Sequence, residues 1–294
     1  MRIFLTGATG FVGSAVAKKL ISAGYGVTGL TRSRQGAATL VASGIEPLFG
    51  DITDPESLRR GAMESDGVIH TAFNHDFSTF TLNCEMDRLA IEEMARVLKG
   101  TTKPLLITSV VGLGSEKPGA VALENNFNHE HTNPRKASEL AGIAALRNSV
   151  NLSFIRLSQV HDTLKQGLIT PLVEIAREKG MSAYIAGGEN CWSAVHISDA
   201  ASLYMLALKR AIPGSRYHAV AEQGITLKSI AEAIGRTLDL PVKSIRSSEA
   251  SEHFGWLSKF VAQDMSASSV ITQDQLKWYP KGPDLITDLE HMSF

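Results

Sequence analysis

The sequence has little cysteine: Cys84 and Cys191 are the only two among 294 residues, far apart and outside any Cys-x-x-Cys spacing. That excludes a disulfide framework and suits a reducing compartment. It also lacks an excess of either charge. With 29 Lys+Arg against 30 Asp+Glu, the net charge of −1 argues against nucleic acid or an anionic membrane as a partner. No apolar run approaches the ~18–20 residues that span a bilayer, and Met1 leads directly into Arg2 to Gly7 with no room for a signal peptide. A cytoplasmic location is the expectation. A further absence is local: no Asp or Glu precedes Glu46.

What is present alternates. Short apolar runs at Arg2–Leu5, Gly26–Leu30, Ile45–Phe49, Gly67–Ala72, Pro104–Thr108 and Leu152–Leu157 predict strands. Between them lie segments of helical period. Val12, Val16, Leu20 and Ala23 share one face before Gly24, Asp54-Pro55-Glu56 is a helix start, and Asn83–Lys99 and Pro134–Arg147 predict longer helices. Strand-helix alternation implies an α/β fold, a doubly wound parallel sheet of Rossmann type covered on both faces. The rhythm loosens near Gln159, where a smaller, mostly helical C-terminal substrate region is expected. Residues 1–164 and 194–222 are assigned to nucleotide binding, and 165–193 and 223–294 to substrate.

Thr6-Gly7-Ala8-Thr9-Gly10-Phe11-Val12-Gly13 stands between the first predicted strand and helix. Glycines at this spacing make a tight turn, let a pyrophosphate approach the backbone and let helix and strand pack closely. NAD sites usually carry an acid at the end of the second strand; NADP sites carry arginine instead. Here that strand ends Thr31-Arg32-Ser33-Arg34 with no acid before it. Guanidinium matches phosphate with charge-assisted hydrogen bonds, so Arg32, Ser33 and Arg34 point to NADP, with NADPH preferred over NADH.

These motifs resemble the short-chain dehydrogenase/reductase superfamily in its extended or atypical branch, the NAD(P)-dependent epimerase/dehydratase-like proteins. The resemblance extends to Gly50-Asp51-Ile52-Thr53-Asp54 for the adenine, to His70-Thr71-Ala72-Phe73 beside the cofactor, and to Val195-His196-Ile197-Ser198-Asp199. It implies a cofactor on Gly7, Thr9, Gly10, Phe11, Val12, Gly13, Asp51, Ile52, Thr71, Ala72, Phe73 and Ser158, a small-molecule substrate and a possible homodimer.

One departure stands out. The family's catalytic pair is Tyr-x-x-x-Lys, and none of the five tyrosines here has a lysine four residues later. The matching stretch, Thr132-Asn133-Pro134-Arg135-Lys136, puts Lys136 at the position of the family's lysine, which implies a cofactor contact at the nicotinamide ribose, and Thr132 at that of tyrosine. A threonine hydroxyl is too weak an acid to replace a phenol. Ser109 matches the family's substrate hydroxyl or is a strand-end serine, and Asn83 orders a water or caps its helix. His131 is the candidate substitute acid, with His161 behind it. Asn74, Asn83, His161, Tyr184, Trp192 and His196 are the candidate substrate pocket. The spacing of Phe254, Trp256 and Phe260 favours core packing.

Asn128-His129-Glu130-His131 has no third metal ligand spaced nearby, so no metal is expected. There is no Gly-x-Ser-x-Gly elbow and no His-Glu-x-x-His. The reading is an NADP-dependent oxidoreductase acting on a small organic substrate. A non-catalytic NADP-binding sensor and a nucleotide-sugar epimerase or dehydratase are the alternatives.

Overall fold

Strand β1 (Arg2–Thr6) carries Ile3, Phe4 and Leu5 in succession, all fully buried, an unbroken apolar run that suits a strand covered on both faces. The computed structural model describes residues 1–292. After β1 the alternation continues through α1 (Phe11–Ser22), β2 (Gly26–Thr31), α2 (Arg34–Ala42), β3 (Glu46–Phe49), α3 (Pro55–Met63), β4 (Gly67–His70), α4 (Phe80–Leu98), β5 (Leu105–Val110), α5 (Lys136–Arg147) and β6 (Leu152–Leu157). Then follow β7 (Gln159–His161), α6 (Ile169–Lys179), β8 (Ser182–Ile185), β9 (Cys191–His196), α7 (Ile197–Arg210), β10 (Arg216–Ala219), β11 (Glu222–Thr226), α8 (Leu227–Leu238), β12 (Val242–Ile245), α9 (Ala250–Phe254), α10 (Ser258–Val261), α11 (Val270–Leu276) and α12 (Leu285–Glu290).

The main sheet is seven-stranded in the order β10-β6-β5-β4-β1-β2-β3, and every pairing is parallel. Strands run outward from β1 in one direction through β2 and in the other through β4. This Rossmann arrangement opens a crevice at the C-terminal ends of β1 and β4, where the direction reverses. One face packs Val16 and Leu20 of α1 with Leu203 and Tyr204 of α7; the other packs Leu58, Ile91 and Met94 of α3 and α4 with Phe154. A third core holds Trp192 with Leu172, Ile230, Leu257 and Leu285.

Helices dominate the C-terminal region as expected, with two small sheets among them. These are a three-stranded sheet, β11-β9-β7, and a two-stranded sheet, β12-β8. Two helix starts differ from expectation. The fourth helix begins at Phe80, three residues early, and α5 begins at Lys136, two residues late. Among the described residues no helix is long and apolar enough to cross a membrane.

Candidate functional site

A cavity of about 1730 Å³ lies over the C-terminal ends of the strands. Ligand pockets usually hold ~300–1,000 Å³, so this space takes an extended ligand and a second molecule beside it. One end is the glycine turn. Gly7 sits at φ +73°, and a Cβ there would meet the Ala72 nitrogen at 2.7 Å; one on Gly13 would meet the Gly7 carbonyl oxygen at 2.0 Å. Gly10 starts α1 without a capping side chain, which leaves first-turn N–H groups for an anion at the positive end of the helix. Thr71 Oγ1 donates to the Thr6 carbonyl at 2.7 Å and ties the end of β4 to this turn. The cradle fits a pyrophosphate.

At the end of β2, Arg32 and Ser33 line the cavity with Gly36. Ser33 Oγ accepts from Gly36 N at 3.0 Å and caps α2; a Cβ on Gly36 would lie 2.2 Å from Thr31 Oγ1. The exposed Arg32 guanidinium stands 3.6 Å from Asp51. Arg34 opens α2 and does not line the cavity.

Beneath the middle of the cavity lies a buried polar network. His70 Nδ1 pairs with Thr6 Oγ1 at 2.6 Å and its Nε2 with Asp87 at 3.0 Å. Asp87 also accepts from Arg135 Nη1 and Ser138 Oγ, and Arg135 Nη2 donates to the Thr108 carbonyl at 3.0 Å. Burial pushes the Asp87 carboxyl up, but the Arg135 charge with the His70 and Ser138 hydrogen bonds outweighs it and holds the group at about 2. The Arg135 guanidinium lies 4.0 Å from the centre of the Phe73 ring, and both residues line the cavity.

Lys136 turns elsewhere. Its Nζ donates to the His129 carbonyl at 3.1 Å, and the residue does not line the cavity. Thr132 and His131 precede α5 in the chain and do line it, so Thr132 and Lys136 do not share a helix face. Asn133 N donates to His131 Nδ1 at 3.0 Å, which leaves the proton of a neutral ring on Nε2. Burial, then the Lys136 charge, lowers the His131 pKa. Ser109 lines the cavity, but its hydroxyl donates to Glu139 at 2.7 Å, so it offers a lone pair and not a hydrogen. Among the described residues no tyrosine lines the cavity. Tyr204 is fully buried beneath it, its hydroxyl 2.6 Å from Thr108 Oγ1.

Of the expected substrate pocket only Asn74 lines this space. Asn83 is the fourth residue of α4, neither cap nor cavity wall; its amide donates to the Asp76 carbonyl and Thr79 Oγ1, bracing the preceding loop. His161 is buried against Asp288 at 2.6 Å, and His196 caps α7. Trp192 is core, with Nε1 donating to the Gln263 carbonyl, and Tyr184 lies in β8, paired with β12. Trp256 and Phe260, expected in the core, line the cavity, while Phe254 is core as expected. Sequence reasoning missed Arg135, Phe77 and Phe80; an apolar pair three residues apart at Phe77 and Phe80 was the available signal. Among the described residues no cluster of three or more His, Cys, Asp or Glu could hold a metal.

Residues 3–220 match the NAD dependent epimerase/dehydratase family. The chain belongs to that family. It is 45% identical over 290 residues to an uncharacterized protein of Schizosaccharomyces pombe, covering 98% of each chain. It is 25% identical to a UDP-glucose 4-epimerase of Streptomyces lividans, covering 96% of this chain and 98% of the relative. In fold it is similar to the crystal structure of DesIV, a dTDP-glucose 4,6-dehydratase from Streptomyces venezuelae with NAD bound. There the TM-score is 0.80 at 17% identity, over 99% of this chain and 95% of the other.

Proposed function

We propose that the protein is an NADP-dependent oxidoreductase acting on a small organic molecule. In this reading residues 1–164 and 194–222 carry the cofactor, and 165–193 and 223–294 complete the substrate site. The observation that carries NADP is the cavity edge at Arg32, Ser33 and Gly36, reached by a strand with no acid before it. Arg32 offers an exposed guanidinium to a 2′-phosphate, and Gly36, where a Cβ would strike Thr31 Oγ1, lets the start of α2 close on the end of β2 beside it.

With its pyrophosphate held at Gly7, Gly10 and Gly13, the dinucleotide would supply two electrons as a hydride to a carbonyl or conjugated carbon. The chain must then hold the substrate oxygen while a proton reaches it. His131 is the residue for this task. Its Nδ1 accepts a backbone N–H and the lowered pKa favours the neutral ring, so Nε2–H is turned outward as a hydrogen-bond donor that would hold and polarise the substrate oxygen while a solvent proton reaches it. Arg135 takes the place expected of Lys136: its charge lies among cavity-lining residues, fixed by Asp87 and the Thr108 carbonyl. Ser109, with its hydrogen held by Glu139, positions rather than donates.

Open space beside Ser109, His131 and Thr132 favours catalysis over a non-catalytic sensor, and the lack of a lining tyrosine disfavours the epimerase chemistry of this fold. Calorimetric titration of the purified protein tests the reading. NADPH is expected to bind at least tenfold tighter than NADH; tighter binding of NADH overturns it.

A further inference from the structure

The end of the cavity away from Arg32 is walled by aromatic rings drawn from two distant parts of the chain. Phe73, Phe77 and Phe80 come from the segment that joins β4 to α4; Trp256 and Phe260 come from the segment of α9 and α10. Phe73 meets Phe80 edge-on at 6.0 Å, Phe80 meets Phe77 at 5.4 Å, and Phe77 stacks on Trp256 at 4.5 Å with 16° between the planes. Phe260 closes on Phe77 at 5.6 Å, edge-on. Trp256 is nevertheless 48% exposed. These rings therefore form a clasp over the cavity and not a core.

The charges in this half point the same way. A sugar nucleotide carries a diphosphate, which proteins hold with Arg, Lys or a helix N-terminus. The lining side chains contributed by residues 190–193 and 256–266 include no Lys or Arg, and one carboxylate, Asp264. That carboxylate is itself bound to the backbone nitrogens of Cys191 and Ser266, each at 2.9 Å. Arg135 is neutralised by Asp87. Val110, Val111, Pro118, Ala122 and Met265 line the rest of this half; the further lining charges, Lys117 and Lys165 against Glu130 and Glu174, are equal in number and opposite in sign.

We propose that this half of the cavity takes an uncharged molecule with a flat apolar body, an aryl carbonyl compound, held between the Phe77–Trp256 clasp and the floor at Phe73. The proposal rests on the oxidoreductase reading for the carbonyl and on the ring geometry for the aryl body. Aromatic pairing adds to what area burial alone provides, and desolvated aromatic anchors dominate the binding of such bodies.

Intrinsic fluorescence provides a readout independent of turnover. Trp192 and Trp278 are buried and Trp256 stands at the mouth, so a ligand in the clasp quenches chiefly Trp256. The full-length protein, with NADPH present, is titrated with benzaldehyde and separately with UDP-glucose. The expected result is saturable quenching by benzaldehyde, none by UDP-glucose, and loss of the response in Trp256→Leu. Phe77→Leu is expected to raise the benzaldehyde KM about tenfold while leaving the NADPH Kd unchanged. Binding of UDP-glucose in preference to benzaldehyde, or an unchanged KM in Phe77→Leu, overturns the proposal. If NADPH itself fails to bind while benzaldehyde still quenches Trp256, the oxidoreductase reading falls and the assignment of the clasp stands.

Discussion

Two adjacent basic side chains, Arg135 and Lys136, divide inside from outside at the start of α5. Arg135 stands at the N-cap and lines the cavity, while Lys136, the first residue of the helix, turns to the His129 carbonyl. A spacing argument selects Lys136, four residues after Thr132, but that offset has meaning only if the helix already runs through Thr132. It begins at Lys136, so the sequence could show that a cation belongs here and not which one. Arg135 is 5% exposed and paired with an Asp87 that is fully buried. Removing it leaves the buried Asp87 charge without its cation, held only by His70 and Ser138, and breaking a buried pair in this way typically costs ~3–5 kcal/mol. Arg135→Ala should therefore lower the urea midpoint by an amount corresponding to that loss, while Lys136→Ala should keep both stability and turnover within about twofold. Full turnover in Arg135→Ala would remove Arg135 from the site. Arg32 is legible for a different reason: the end of the second strand is set by the glycine turn before it, not by a register. Arg32→Ala should weaken NADPH by roughly 10–100-fold, the ~1.5–3 kcal/mol of a hydrogen bond to a charged group, and leave NADH unchanged in the same titration.

Elements built on one unbroken period were readable, and those built on breaks were not. The face of Val12, Val16 and Leu20 gives α1 within a residue, and the apolar run of β1 likewise. The spacing of Phe254, Trp256 and Phe260 reads as one core-facing set, yet Gly255 takes φ +54° and divides α9 from α10. That turn swings Trp256 and Phe260 off the face of Phe254, so rings expected in one core wall the cavity. Strand β7 is three residues long, too short for alternation to register, and it carries His161 away from the cavity. The glycine turn makes the sharpest element-scale test. A Cβ on Gly13 would lie 2.0 Å from the Gly7 carbonyl, so α1 must withdraw from the turn. Gly13→Ala should cost ~1–3 kcal/mol as an overpacking change and also weaken NADPH at least tenfold by displacing the helix N-terminus. A variant that is destabilised but binds NADPH normally would show that the turn supports packing alone.

The whole molecule joins its C-terminal segment to the sheet edge through buried histidine, and this sets its response to acid. His218 of β10 donates from Nδ1 to the Ser268 carbonyl at 2.7 Å, and its Nε2 accepts from Arg156 at 3.2 Å. Its backbone nitrogen donates to Thr272 of α11. Burial first, and then the Arg156 charge, push the imidazole down to about 3, against the opposing pull of the Ser268 carbonyl and of Glu139. An unfolded histidine titrates near 6.5. Above that value both states are neutral and the group contributes nothing. Below it the unfolded chain binds a proton that the folded chain refuses, so stability falls as pH drops from 6.5 toward 3. His161, also lowered by burial despite Asp288, acts in the same direction. Asp87, held at about 2, acts in the same direction but in a lower window: its stabilisation persists down to the ordinary carboxylate range and is lost only below it. The interval from pH 6.5 to 5 therefore isolates the histidines. One pKa unit corresponds to ~1.4 kcal/mol, so His218 alone should lower the unfolding free energy by about 2 kcal/mol between pH 7 and pH 5, read from urea titrations at each pH. His218→Gln, which retains a donor and an acceptor without a titrating group, should flatten that slope. A slope unchanged in His218→Gln would show that the acid sensitivity lies elsewhere in the fold.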